Sequence, residues 1–354
     1  MPGRDLIETG KLVEVERGLE LSHIQGKTVL VTGGTGSFGK ALVHRLLQDD
    51  EVKSVIVFSR DELKQFEFQE KIKSSKLKFM LGDVRDYQRL IRVTSDVDII
   101  VHTAAMKQIP AAEYNPMEAI KTNILGAENI INSAIENSVS RVVALSTDKA
   151  ANPANLYGAT KLCSDKLMIA ANNLVGPKGT AFSVVRYGNV LGSRGSVIPF
   201  FIEKSKEGLI PITDERMTRF WLTIESGVQF VLDSLERMHG GEIFVPKIPS
   251  FKVIDVARVV TPNVPTKVIG IRPGEKLHEV MITEDDSEYT IEFDDYYAIL
   301  SPSLISNQVY KGKGKKVPEG FKFSSDNNSL WHTDKSFLKT LRDSGILSEI
   351  HFNE

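Results

Sequence analysis

The chain has 354 residues, with 44 lysines and arginines against 46 aspartates and glutamates and a formal net charge of −2 at pH 7. That balance gives no global field for nucleic acid or an anionic membrane surface, and 41% hydrophobic with 25% charged residues is ordinary globular composition. The one cysteine, Cys163, excludes an intrachain disulfide and fits a reducing, cytoplasmic setting.

Residues 1–25 read as an N-terminal extension. MPGRDLIETGKLVEVERGLEL holds no continuous apolar stretch, which argues against a secretory signal. No apolar run approaches the ~20 residues that span a bilayer, so no membrane association is expected. From residue 26, short β-branched runs alternate with helical stretches. The strand candidates are 27–33, 54–59, 77–83, 97–104, 141–147 and 182–188. Continuous apolar runs of this length suit parallel strands covered on both faces. The clearest helix spans 116–137, where Ile120, Ile124, Ala127, Ile131 and Ala134 recur at helical spacing behind Pro116. The succession implies an α/β fold, a doubly wound Rossmann-type parallel sheet with right-handed crossovers. It occupies 26–190.

Beyond 190 the alternation breaks. Helices near 196–207, 225–238 and 253–260 and strands at 242–246 and 266–271 suggest a smaller substrate-binding lobe, 191–283, interleaved with the end of the sheet. Residues 284–354 form a polar C-terminal region, whose KGKGKK run (311–316) reads as a solvated loop.

The first strand opens into a glycine turn and a helix. Gly34, Gly36 and Gly39 stand at GxGxxG spacing, and Gly33, Gly36 and Gly39 at GxxGxxG spacing. Glycines permit the tight turn, let backbone approach a pyrophosphate, and let helix pack closely on strand, while the helix N-terminus faces the anion. Strand before and helix after supply the context that this motif needs. Gly33, Gly36, Ser37, Phe38 and Gly39 are therefore candidate dinucleotide contacts. The second strand ends Phe58-Ser59-Arg60-Asp61, without the acid that usually meets a ribose 2′-hydroxyl. Ser59, Arg60 and Lys64 suit a 2′-phosphate, so NADP is expected. Asp83, with Val84, is placed to meet the adenine, and Ala104, Ala105 and Lys107 follow the fourth strand.

Tyr157 and Lys161 form a YxxxK pair, which a helix brings to one face. A cation beside the phenol lowers its pKa and makes a general base for a sugar hydroxyl. The fifth strand ends in Thr147, ten residues before the tyrosine, and Asp148-Lys149 follow. Water elimination needs an acid and a base beyond hydride transfer, and this turn supplies a carboxyl and an amine. Burial would lower the lysine pKa and let Lys149 act as base. A UDP-sugar 4-epimerase would need Tyr157 and Lys161 but not Asp148-Lys149. An NADP-binding sensor or scaffold would not need the Tyr–Lys pair. No HExxH or clustered Cys/His spacing suggests a metal.

LSTDKAANPANLYGATKLCSDKL, SRDELKQFE, AAMKQIPAAEYNPMEAIKTNILGA, VVRYGNVLGSRGSVIPFF, MTRFW, GGEIFVPKIPS and GIRPGEKLHE closely resemble the inverting UDP-N-acetylglucosamine 4,6-dehydratases of pseudaminic acid biosynthesis. These are extended short-chain dehydrogenases/reductases, and the resemblance covers roughly residues 27–283. It implies oxidation at carbon 4 with Tyr157 as base, removal of the carbon 5 proton by Lys149, and protonation of the leaving carbon 6 hydroxyl by Asp148. Hydride returns to carbon 6, and carbon 5 is reprotonated from the opposite face. The product would be UDP-2-acetamido-2,6-dideoxy-β-L-arabino-hex-4-ulose. The same resemblance makes Lys107, Asn189, Arg194, Gly195, Arg219, Arg272 and Glu275 candidate substrate contacts, and implies a homo-oligomer, a hexamer.

Overall fold

Six of the apolar runs are strands: β1 (Thr28–Thr32), β2 (Ser54–Ser59), β3 (Leu77–Leu81), β4 (Ile99–His102), β5 (Arg141–Thr147) and β6 (Ala181–Tyr187). β7 (Glu242–Pro246), β8 (Thr290–Glu292), β9 (Tyr296–Leu300) and β10 (Lys315–Lys316) complete one ten-stranded sheet. This computed structural model describes residues 22–176, 179–193 and 195–346. Every residue of β1, β2 and β4 is buried, which is why these strands are apolar along their length and do not alternate.

The order across the sheet is β10-β8-β9-β7-β6-β5-β4-β1-β2-β3, parallel from β7 to β3 and antiparallel at the other edge. Chain order reverses between β1 and β4. In doubly wound sheets a crevice opens outside the carboxyl ends of the strands at such a switch point. Tyr296, Tyr297 and Ile299 of β9 join the main core, so part of the polar region after 284 is built into the sheet.

A second apolar cluster gathers Ile198, Phe201, Trp221, Phe251, Val256 and Phe337. Beside it a small sheet orders Ser250–Lys252, Thr218–Leu222 and Asn189–Val190. The strand expected over 266–271 is shorter, Thr266–Val268, because its partner Ile210–Ile212 offers only three residues to pair. The single helix expected over 116–137 is broken. Pro116–Ile120 is α-helical, Lys121–Leu125 is a π-helical turn, and Gly126–Glu136 resumes the α-helix. Of the extension over 1–25, only the part from Ser22 is described. Ile24 enters the core, and the His23 amide donates to Glu236 Oε1 at 2.7 Å. Among the described residues, no helix is long and apolar enough to cross a membrane.

Candidate active site

The crevice at the switch point is a cleft of about 550 Å³. Its floor is the glycine turn. Gly33 adopts φ +66°, and its amide donates to the Phe58 carbonyl at 2.8 Å, which locks the turn to β2. A Cβ on Gly39 would stand 2.6 Å from both the Gly33 oxygen and the Gly34 Cα, so only glycine lets the Ser37–Leu47 helix start this close to the turn. That helix begins at Gly36 with no side-chain cap. Its first amides are thus left for a ligand, and an oxyanion fits there by charge and by hydrogen bonding.

The cleft gathers most of the residues singled out above. Gly33, Gly36, Ser37, Phe38 and Gly39 line one end, with Ser59, Arg60, Lys64, Asp83 and Val84 near the tips of β2 and β3. Ala104, Ala105 and Lys107 follow β4, and Thr147, Lys149, Tyr157 and Lys161 stand above β5. Asn189 and Gly195 line it from beyond β6. Arg60 is mostly exposed and lies 3.6 Å from Asp83, while Lys64 pairs with Asp61 at 2.5 Å. Burial works against ionisation of Asp83, but Arg85 holds its carboxyl below the usual range. Desolvation lowers the Lys107 pKa.

Three expected substrate contacts are not on the cleft wall. Arg219 is buried and spends its guanidinium on the carbonyls of Thr218, Lys276 and Leu277 at 2.7–3.1 Å. Arg272 pairs with Glu275 Oε1 at 3.2 Å, while Glu275 Oε2 is buried without a hydrogen-bond partner among the described residues. Arg194 lies outside the described residues.

The acid–base group is tightly knit. Lys149 Nζ donates to Asp148 Oδ1 at 3.0 Å, and the Thr147 hydroxyl donates to the same oxygen at 3.0 Å. Asp148 is fully buried behind them, and its Oδ2 has no partner among the described residues. Lys149 also meets Glu279 Oε1 at 3.4 Å. The Lys149 pKa was expected to fall with burial. Burial does pull it down, but Asp148 and Glu279 together outweigh burial, and the amine is held protonated above its ordinary value. Asp148 shifts up, chiefly through burial and with Glu279 adding to it. Glu279 is pulled down to about 2 against its own burial, by Lys149, Arg219 and Lys276.

Tyr157 stands on the Leu156–Ala171 helix, capped by Asn155, whose Oδ1 accepts from the Gly158 amide at 2.8 Å. Burial pushes the phenol up to about 12, opposed by the Lys149 ammonium and the Thr147 hydroxyl. The cation acting most on the phenol is therefore Lys149. Lys161, the expected partner, is buried, and its pKa falls by desolvation despite Asp165.

Residue patterns did not reveal Glu279, Thr122 or Gln108. Thr122 and Gln108 line the cleft, and Thr122 reaches it from the π-helical turn. There Asn123 clamps the loop after β4: its Oδ1 accepts from the Met106 amide at 2.8 Å, and its Nδ2 donates to the Met106 carbonyl at 2.9 Å. Glu279 closes the GIRPGEKLHE segment, four residues beyond the Glu275 that the segment first suggested.

The family described as polysaccharide biosynthesis protein matches residues 29–301. The chain belongs to that family, within the extended short-chain dehydrogenases/reductases. One member of similar length is the UDP-N-acetylglucosamine 4,6-dehydratase (inverting) of Campylobacter jejuni, 56% identical over 325 residues, covering 89% of this chain and 97% of the relative. A UDP-glucose 4-epimerase of Rickettsia prowazekii is 43% identical over 281 residues, 77% of this chain and 82% of the relative. The X-ray structure of Pen from Bacillus thuringiensis superposes with a TM-score of 0.84 at 35% identity, covering 92% of this chain and 99% of that one.

Proposed function

We propose that the chain is an inverting UDP-N-acetylglucosamine 4,6-dehydratase that uses NADP, a step toward pseudaminic acid. One observation carries the reading: Lys149, on the wall of the cleft whose glycine turn and uncapped helix suit a dinucleotide, meets Asp148, buried just behind that wall at the tip of β5, at 3.0 Å beside Tyr157. The dehydratase name of the Campylobacter relative agrees with it.

The cleft residues fit the cofactor. Gly33, Gly36 and the first turn from Ser37 would hold its pyrophosphate, and Ser59, Arg60 and Lys64 a 2′-phosphate. A bound oxidised nicotinamide would supply the hydride acceptor. Tyr157, as the phenolate, takes the proton of the carbon 4 hydroxyl while carbon 4 gives up its hydride. The ketone so formed acidifies the carbon 5 proton. Lys149 must be a neutral amine to remove it, and Asp148 must carry a proton to expel the carbon 6 hydroxyl as water. Transfer of one proton across their 3.0 Å contact makes both forms at once. The Thr147 hydroxyl, on Asp148 Oδ1, offers that proton a path to the cleft.

A 4-epimerase is the second reading, favoured by the Rickettsia relative. It would leave the Asp148–Lys149 pair without a task. Proton NMR of the protein with UDP-N-acetylglucosamine and NADP in deuterated water separates them. The dehydratase gives a new carbon 6 methyl signal, deuterium at carbon 5 and L-arabino couplings, whereas a carbon 4 epimer without a methyl signal would overturn the reading.

A further inference from the structure

Glu279 is more than nine-tenths buried, yet it carries a full set of charged neighbours. Its Oε1 lies 3.4 Å from Lys149 Nζ and 3.7 Å from Arg219 Nε, and its Oε2 lies 3.3 Å from Lys276 Nζ. Its backbone is pinned by a two-way ladder with Ser325: the Glu279 amide donates to Ser325 Oγ at 3.0 Å, and the Ser325 amide donates to the Glu279 carbonyl at 2.8 Å. A buried carboxylate normally costs stability unless paired and hydrogen-bonded. Here three cations surround it, and one of them is the amine assigned to the carbon 5 proton.

We propose that Glu279 is a positioning residue for the elimination: a second, fixed carboxylate on Lys149 that holds the amine at Asp148 and retains one shared proton in the Asp148–Lys149 pair. The inference rests on the dehydratase reading. The proton balance is closed. A Lys149 N–H bond breaks as the Asp148 O–H bond forms, leaving amine and carboxylic acid. The amine then gains the carbon 5 proton, whose bonding pair becomes the new carbon–carbon π bond. The Asp148 proton leaves with the carbon 6 hydroxyl as water, and the carbon–oxygen pair departs with it. Lys149 ends as ammonium and Asp148 as carboxylate, their starting forms. Without the Glu279 charge, Arg219 would still act on Lys149, and its field would drive the shared proton off at lower pH; Lys276 acts through Glu279, whose charge it shares.

The test is the pH profile of kcat in Glu279→Gln, beside Glu279→Asp and Lys276→Gln. An opposite charge at this range moves a pKa by about 1–3 units. The alkaline limb of kcat in Glu279→Gln should therefore move down by about that much, with KM for UDP-N-acetylglucosamine unchanged. Glu279→Asp, which keeps the charge, should restore the limb even if kcat stays reduced. Lys276→Gln, which removes a competing cation, should move the limb up. If Glu279→Gln does not fold, the Asp and Lys276 variants carry the test. A limb that stays in place in every folded variant, with only melting temperature changed, would make Glu279 merely structural and overturn the proposal. A second readout needs no turnover: carbon-13 NMR of ε-labelled lysine, with the Lys149 signal assigned through Lys149→Arg. Lys149 should lose its proton at lower pH in Glu279→Gln than in the wild type, and an unshifted titration overturns the proposal. If the wild type makes no 6-deoxy product, the dehydratase reading fails on that result alone, while the lysine titration still decides whether Glu279 governs the proton.

Discussion

In the proposed mechanism the chemistry concentrates at Lys149. Its amine touches Asp148 at 3.0 Å and acts on the Tyr157 phenol. Lys149→Ala should stop dehydration while leaving Tyr157, Lys161 and the glycine turn in place. General acid–base groups are worth about 10²–10⁴-fold, so product formation should fall by at least ~10²-fold with cofactor affinity kept, as read by NMR of product and by NADPH fluorescence titration. Product at near wild-type rate would remove Lys149 from the mechanism. Arg60→Ala tests the cofactor assignment. A hydrogen bond to a charged group is worth about 1.5–3 kcal/mol, so NADP affinity should fall roughly 10–100-fold while NAD affinity stays. Equal loss for both cofactors would count against a 2′-phosphate at Arg60. That these residues gather at one cleft was legible in the sequence, because the glycine turn, YxxxK and the Asp-Lys turn are local patterns at strand ends. The raised pKa of Lys149 was not, since Glu279, 130 residues away in the chain, adds to the effect of Asp148. The resemblance pointed instead to Glu275, as a substrate contact, and Glu275 faces Arg272.

At the scale of elements, two close approaches set the site. Gly39 allows the first helix to start on the turn, and a methyl there would meet the Gly33 oxygen and Gly34 Cα at 2.6 Å. Gly39→Ala should cost about 1–3 kcal/mol, the usual cost of overpacking, and weaken NADP binding. Urea denaturation and a binding titration would measure the two effects, and an unchanged affinity would mean that the turn does not hold the pyrophosphate. The π-helical turn is the second device. Asn123 ties both polar groups of Met106 and donates to Thr160 Oγ1 at 2.9 Å. Asn123→Ala would leave Met106 unpaired and should cost about 1–3 kcal/mol, again read by urea denaturation. Hydrophobic spacing over 116–137 is the same for a continuous helix and for one with a single widened turn, so the break was not legible there. The polar composition after 284 likewise hid β8, β9 and β10, three strands of the main sheet, because β9 gains its burial from β7, some fifty residues earlier.

Across the whole molecule, the doubly wound parallel sheet followed from the alternation of apolar runs and helices, since right-handed crossovers leave few other arrangements. What the alternation could not supply was the coupling of distant groups to stability. Burial drives the His102 pKa down to about 3 and that of His332 down to about 4. Both lie below the unfolded value of about 6.5. The unfolded chain therefore takes up protons that the fold refuses. This stabilisation is intact above about pH 6.5 and declines as pH falls toward 4 and then 3, by about 1.4 kcal/mol per unit for each group. Melting temperature should fall between pH 7 and pH 5, and His332→Gln should flatten that slope. An equally steep slope in the variant would clear His332 of the effect.

The central claim is that a hydride leaves carbon 4 and returns to carbon 6 of the same sugar. UDP-N-acetylglucosamine carrying deuterium at carbon 4, with NADP and unlabelled water, tests it most directly by deuterium NMR of the product. Deuterium in the new carbon 6 methyl group is the outcome that the Tyr157, Asp148 and Lys149 assignments require. Deuterium found back at carbon 4 of an epimer would contradict them.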